Sequence, residues 1–350
     1  MTSKIGIWQH ATCAEPDPSF GYCTDDVARA IVVDVLQSRE LGWEAVEDSA
    51  LRSMLFLQEA FDHTTGRLLN FRDSAGAWLD VDASEDCHAR ALRGLATVMA
   101  EKPGTDLADR ARRLFVKALP AALSFSAIRP MAAALIGCDI VLAGGLAPEA
   151  GPASDRLAVR LVEKFGEPDS DWPWPNRVLT YENALVPQGL IAAGRRLDDQ
   201  LLVARGCAVL DWLIEVQTGD GGVFSPIGNG GWWPRGGERA QFDQQPIEAA
   251  SMISAAAAAH EATGRPRYLD AAEKAYGWFL GDNDLCIAVA NPARGGCFDG
   301  LGSAGANENQ GAESTLMWLT SLEMMRELRG TAVPGPRRLG TAESPRTSGS

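Results

Sequence analysis

An all-α fold, built as a ring of helical hairpins, is predicted by three features of this 350-residue chain. Apolar residues recur at helical spacing in one long segment after another, the segments fall into pairs joined by short links, and the links between pairs are longer and rich in Gly, Trp and Pro. The pairs repeat too irregularly for a regular helical solenoid, which favours a closed ring.

In chain order, helices are expected at about 25–42 and 46–62, 85–101 and 108–123, 126–145 and 153–166, 182–197 and 200–217, 243–263 and 267–281, and finally 308–329. The segment Gln200 to Gln217 is the clearest, with Leu202, Val209, Leu210, Leu213 and Ile214 on one face. Gly264 reads as a C-cap and Pro266 as the opening of the next helix. The connecting stretches are LLNFRDSAGAWLD, DSDWPWPNR, GDGGVFSPIGNGGWWPRGGE and NPARGGCFDGLGSAGANEN. Residues 1–329 are expected to form one domain, and 330–350, rich in Pro, Gly and Ser, a disordered tail.

In a ring of hairpins the inner and outer helices start at opposite ends. The inner set is expected to start near Thr24, Ser84, Ser126, Tyr181, Phe242 and Asn307, where the polar clusters CTDDVAR, SEDCHAR, SFSAIRP, TYENALVPQ, QFDQQPIEAA and NENQGAES stand. The outer starts, such as Asp199-Gln200 and Arg265-Pro266, are ordinary capping sequence. Six inner and five outer helices leave the last outer position empty, so the ring is either open or completed by another chain.

With 46 acidic and 32 basic residues the net charge is −14, which repels nucleic acid and anionic lipid. No apolar run approaches the ~20 residues that span a bilayer, and the opening MTSKIGIWQHAT lacks a signal-like apolar core; a cytoplasmic location is expected. The seven cysteines are scattered without a CxxC pair, so reduced thiols, no structural metal and no cofactor are expected. No GxSxG, P-loop or HExxH occurs.

One acid at a helix start is explained by capping and the helix dipole. The clusters hold more than that. Asp25-Asp26, Glu85-Asp86 and Asp243-Gln244-Gln245 with Glu248 supply several acids and amides each, and Arg29 and Arg90 lie four residues past Asp25 and Asp86. Acids, amides and arginines around one mouth suit the hydroxyls of a sugar, and the loop tryptophans, Trp174, Trp232 and Trp233 among them, suit the apolar face of a pyranose. Cleavage of a glycosidic bond commonly uses two carboxyls on opposite sides of the sugar. Asp26, Glu248, Asp86, Glu182 and Glu313 are the candidates for that chemistry. Asp25, Arg29, His88, Arg90, Trp174, Asn183, Trp232, Trp233, Asp243, Gln244, Gln245, Asp299, Asn309 and Gln310 are the candidates for binding. Each also has a plain reading, as a cap, an ion pair or a packing residue; His88 in particular reads equally as a hydrogen-bonded core residue.

The phrases GYCTDDVARA, SEDCHARALRGL, YENALVPQGLIAAG, FDQQPIEAASM and CFDGLGSAGANENQGAESTLMWL, spread from about Gly6 to Leu328, resemble an (α/α)6-toroid domain found alone or fused behind bacterial group 1 glycosyltransferases, often near mannoside phosphorylases. NENQGAESTL is the most specific of them. The resemblance implies the wider six-hairpin superfamily of glycoside hydrolases, epimerases and lyases, with carbohydrate handled at one mouth of the ring. Its epimerases rely on histidines on inner helices, few of which stand here, so the resemblance tilts towards a metal-independent glycoside hydrolase. A silent carbohydrate-binding or accessory module of a glycosyltransferase, and a sugar epimerase or isomerase, remain the alternatives. Expected partners are an oligosaccharide or glycoside, with a glycosyltransferase or a second copy of this chain as further candidates.

Overall fold

The computed structural model describes residues 1–79, 83–102, 104–167, 169 and 171–332. Among them are eleven α-helices: α1 (Thr24–Leu41), α2 (Trp43–Ala60), α3 (Glu85–Glu101), α4 (Asp106–Ala122), α5 (Ile128–Ala143), α6 (Gly151–Phe165), α7 (Leu185–Arg196), α8 (Gln200–Val216), α9 (Pro246–Thr263), α10 (Arg267–Leu280) and α11 (Ala312–Ala332). The odd-numbered helices form the inner ring. Each packs on the next, and α11 packs back on α1, so the described residues make an (α/α)6 toroid closed on its inner side. The helices α2, α4, α6, α8 and α10 lie outside, each against the inner helix it follows.

Side-chain size explains the two layers. Inner helices have neighbours on every side, and α5 and α9 are accordingly apolar nearly all round, with small-residue runs at Ala132–Ala134 and Ala255–Ala259 that let helices approach. Gly94 and Gly189 mark two close approaches of inner helices: a Cβ at Gly94 would stand 2.9 Å from the Ala28 carbonyl oxygen, and one at Gly189 2.6 Å from the Ala132 Cβ. Outer helices are amphipathic. In α4, Leu107, Ala111, Leu114, Phe115 and Ala118 face the core and the charges face out. The bulk of the core lies between the layers, around side chains such as Trp278, Phe56, Phe115 and Tyr268.

Two features depart from expectation. First, an antiparallel hairpin, β1 (Trp8–Thr12) and β2 (Glu15–Cys23), precedes α1, and β2 pairs with Phe71–Arg72 in the loop after α2. The prolines and acid in EPDPSF mask any strand alternation in the sequence. Second, α7, α9 and α11 begin three or four residues later than expected, at Leu185, Pro246 and Ala312. Glu182 (φ 47°) and Asp243 (φ 57°) are left-handed, a conformation that cannot start a right-handed helix, so their clusters form loops above the helix ends. At the far end α11 runs on through Gly330 to Ala332; the rest of the predicted tail lies outside the described residues.

Candidate functional site

At the end of the ring where inner helices begin, two arginines each hold two carboxylates. Arg29, one turn into α1, donates from Nη1 to Asp26 Oδ1 and from Nη2 to Glu313 Oε2 at the start of α11, both at 2.7 Å. Arg90, one turn into α3, donates to Asp25 Oδ1 at 2.9 Å and to Glu182 Oε2 at 2.7 Å. Helical spacing accounts for one of these pairs, Asp26 with Arg29 at i,i+3; the other three cross between elements, so Arg90 meets Asp25 of α1 and Glu182 rather than Asp86 four residues before it, and Arg29 meets Asp26 rather than Asp25. Because one guanidinium spans both partners, the Asp26 and Glu313 oxygens stand no more than about 8 Å apart, under the ~10 Å limit for paired carboxyls that act on a glycosidic bond.

The members differ in environment. Asp26 and Arg29 are buried, with side chains 5 % and 4 % exposed, whereas the Glu313 side chain is 42 % exposed. Burial pushes the Asp26 carboxyl up to about 7; Arg29 opposes the rise, and the nearby Glu313 and Asp25 charges add to it. Asp26 Oδ2 carries no protein hydrogen bond among the described residues, yet is not sealed away.

A second group surrounds the turn before α7. Arg129 of α5 donates from Nε to the Tyr181 carbonyl at 2.5 Å, donates from Nη2 to Thr180 Oγ1 at 2.6 Å and lies 4.4 Å from the Tyr181 ring centroid. The Tyr181 hydroxyl donates to Asp86 Oδ2, and Trp232 leans over Tyr181 with ring centroids 6.2 Å apart. Glu248 is sealed beneath. Its Oε1 accepts the Glu182 N–H, and its Oε2 accepts from the Asn183 backbone N–H and Nδ2, each at 3.4 Å. Burial pushes its carboxyl up to about 7 against these donors. Glu248 thus clamps the strained turn that delivers Glu182 to Arg90.

Of the residues singled out by sequence, Asp25, Asp26, Arg29, Asp86, Arg90, Glu182, Trp232 and Glu313 come together at this mouth. Asp243 and Gln245, with Asp299 and Asn307, line an adjoining groove of about 680 Å3 between the loops before α9 and α11. The structure gives the others different surroundings. His88 points outward into the core: Leu68 N–H donates to Nδ1 at 3.2 Å, Nε2 meets the Ala118 carbonyl at 3.0 Å, and burial pulls its pKa down to about 4. Gln244 is fully buried, donating to Asp284 Oδ2 at 2.6 Å and accepting from Trp278 Nε1 at 2.7 Å. Trp174 is buried, and Trp233 packs with Trp172 and Trp212. Asn183 is buried within its own turn. Asp299 Oδ1 accepts the Gly311 N–H at 2.6 Å, ahead of α11. Asn309 Oδ1 accepts the Cys13 N–H at 2.9 Å, while Gln310 lies against Gly296, where a Cβ would come 2.0 Å from its Oε1. These groups hold the loops rather than face the mouth, although Gln244 and Asp299 also line the adjoining groove. Sequence reasoning missed Tyr181, Arg129 and Arg93; Arg93 stands one turn past Arg90, a spacing that would have flagged it.

All seven cysteines stand unpaired with one another, and no helix among the described residues is long and apolar enough to cross a membrane. No protein-family model matches the sequence, and no curated protein does. Solved structures do match the fold. A sugar epimerase from a ruminal bacterium aligns with a TM-score of 0.70 at 11 % identity, over 93 % of each chain. A cellobiose 2-epimerase from Spirochaeta thermophila aligns at 0.68 with 14 % identity, over 94 % of this chain and 91 % of that one. A GH76 alpha-mannanase from Bacteroides thetaiotaomicron aligns at 0.60 with 10 % identity, over 89 % and 87 %. At these identities the likeness defines an (α/α)6 toroid shared with carbohydrate-active enzymes.

Proposed function

We propose that the chain is a glycoside hydrolase acting at the inner-helix mouth, without a metal, with Asp26 as general acid and Glu313 as the facing carboxylate. The observation that carries this reading is the Arg29 bridge, which sets a buried carboxyl with a pKa raised to about 7 beside a half-exposed carboxylate. Asp26 gives its proton to the glycosidic oxygen as the bond from that oxygen to the anomeric carbon breaks. Glu313 either takes a proton from the attacking water or attacks the anomeric carbon itself. Asp86, Tyr181, Glu182 and Asp25 supply partners for sugar hydroxyls, Trp232 a stacking face, and the Asp243 and Gln245 groove a place for further sugar units. Glu248 acts through Glu182, as a positioning residue.

The second reading, a sugar epimerase, draws on the two epimerase folds above, which align more closely than the mannanase. Against it stands the lack of a histidine among the partners of the ion-pair layer in the described residues: His88 is turned into the core, His63 follows α2, His260 lies in the last turn of α9, and His10, in β1, packs edge-on against Phe20 at 4.7 Å. Incubation with manno- and gluco-oligosaccharides, followed by mass and NMR analysis of products, separates the two readings. Hydrolysis yields shorter sugars; epimerisation yields an isomer of unchanged mass. The expected result is shortening that Asp26→Asn and Glu313→Gln each reduce by on the order of 10²-fold or more, with binding kept within about tenfold. Full activity in both variants refutes the assignment, and binding without turnover in the parent chain makes it an accessory module.

A further inference from the structure

Beneath the ion-pair layer, on the side away from the mouth, the ring surrounds a half-open cavity of about 210 Å3. Arg29, Arg90 and Glu182 bound it at one end, and Leu36, Thr97, Ile140 and Met324, from later turns of α1, α3, α5 and α11, line it towards the other. Arg93 also lines this space, and its pairing differs from that of the two arginines above. Arg29 and Arg90 each hold two carboxylates, whereas Arg93 meets none within ion-pair distance among the described residues. Its one protein hydrogen bond runs from Nη2 to Ser254 Oγ at 2.9 Å, and that hydroxyl donates onward to Gln188 Oε1 at 3.2 Å. A guanidinium has five N–H donors, and none of those left over in Arg93 is sealed without a partner. Burial pulls the Arg93 pKa down; the Glu182 carboxylate at the end of the same space opposes that fall and the Arg90 charge adds to it, so Arg93 has an acid near by but no direct ion pair.

We propose that this lumen binds a small organic monoanion, its carboxylate on Arg93 and its apolar body between Val32, Leu36, Ile140 and Met324. The forked donors of arginine match a carboxylate, and Val32, Leu36, Ile140 and Met324 offer a hydrocarbon body an apolar stretch of wall alongside the hydroxyls of Thr97, Ser251 and Thr320. The size agrees: a dry cavity of about 150 Å3 accommodates benzene, so this one has room for a ring of that size and a head group. The site adjoins the mouth and shares Arg29, Arg90 and Glu182 with its ion-pair layer, but Asp25, Asp26, Asp86 and Glu313 take no part in its wall, so it stands whether or not the chain hydrolyses glycosides.

Calorimetric titration of the full chain with benzoate, hexanoate, benzyl alcohol and inorganic phosphate tests it. One carboxylate should bind per chain, with a Kd that rises on the order of tenfold or more in Arg93→Gln. Binding should vanish in Met324→Trp, which fills the cavity from a wall remote from the charges and serves even if Arg93→Gln fails to fold. Trp232→Ala, at the mouth, should leave it unchanged. The proposal fails if neither carboxylate binds, if Arg93→Gln or Met324→Trp binds them as the parent does, if benzyl alcohol binds equally well, or if phosphate alone binds.

Discussion

At the scale of residues, the mouth is governed by how far each carboxyl is removed from water. Asp26 and Glu248 are both pushed up to about 7 by burial, but their partners divide their roles. Asp26 keeps one oxygen free of protein donors, whereas Glu248 spends both on backbone and side-chain N–H groups of the Glu182–Asn183 turn. A raised carboxyl pKa means that the folded state holds a proton the unfolded state releases. The effect on stability is therefore absent below the ordinary aspartate value of 3.8 and grows as a penalty while pH rises to about 7. Replacing Asp26 by Asn removes that penalty. Relative to the parent chain, Asp26→Asn should gain stability steadily between about pH 4 and pH 7 and level off above, as measured by denaturant unfolding of both proteins across that range. A difference that stays flat with pH would show that Asp26 is ionised throughout. His88 works in the opposite sense: its pKa is lowered to about 4 from 6.5, so it contributes stability above 6.5 that is lost as pH falls towards 4. The comparison therefore needs the single Asp26 substitution, not the parent curve alone.

At the scale of elements, the sequence yields all eleven helices, because a 3.6-residue apolar period survives in the amphipathic ones and the inner α5 and α9 are apolar runs too long for a strand. It yields less of the loops. The expected starts of α7, α9 and α11 were set by acids that resemble caps, but Glu182 and Asp243 take left-handed conformations that only their tertiary partners impose. The tryptophans divide in the same way. Sequence alone cannot distinguish Trp232 from Trp233, adjacent in one glycine-rich loop, yet their rings go to different places. Trp232, itself left-handed at φ 58°, turns to Tyr181 and the mouth, while Trp233 joins Trp172 and Trp212 and donates from Nε1 to the Gly237 carbonyl at 3.2 Å. Trp233→Ala should thus cost about 2–4 kcal/mol of stability, as loss of a packed aromatic does, with little change in oligosaccharide affinity. Trp232→Ala should leave stability nearly unchanged and weaken affinity about tenfold, ~1.4 kcal/mol. Thermal unfolding and calorimetry on the two variants decide the matter; equal effects from both would mean the loop acts as one packing unit.

At the scale of the whole molecule, the ring has one seam, between the first inner helix and the last. The count of six inner and five outer helices predicted an empty outer position there, and at the mouth end of this seam the structure places a feature the sequence concealed. The hairpin β1–β2 leads into α1, and β1 packs on α11. Its turn is fastened by the NENQ stretch: Asn309 Oδ1 accepts the Cys13 N–H and Gln310 N–H donates to the Cys13 carbonyl, both at 2.9 Å. The most specific piece of the family resemblance is thus partly a fastening, and two residues expected to bind substrate serve it. Ion pairs cross the same seam. Arg39 meets Glu327 at 3.2 Å, an exposed pair of little worth, while Arg29 meets Glu313 at the mouth. The proposed acid and its facing carboxylate therefore sit on opposite sides of the joint, and their spacing depends on its being shut. Asn309→Ala deletes one hydrogen bond, worth about 1 kcal/mol. That is too little to unfold the ring but enough to open the seam locally several-fold more often. Amide hydrogen exchange should accelerate in β1, β2 and the first turns of α11, stay unchanged in α3, α5 and α7, and accompany a lower kcat with a nearly constant KM. Acceleration spread evenly over all six inner helices would show instead that the ring opens as one cooperative unit, without a weak joint at the site.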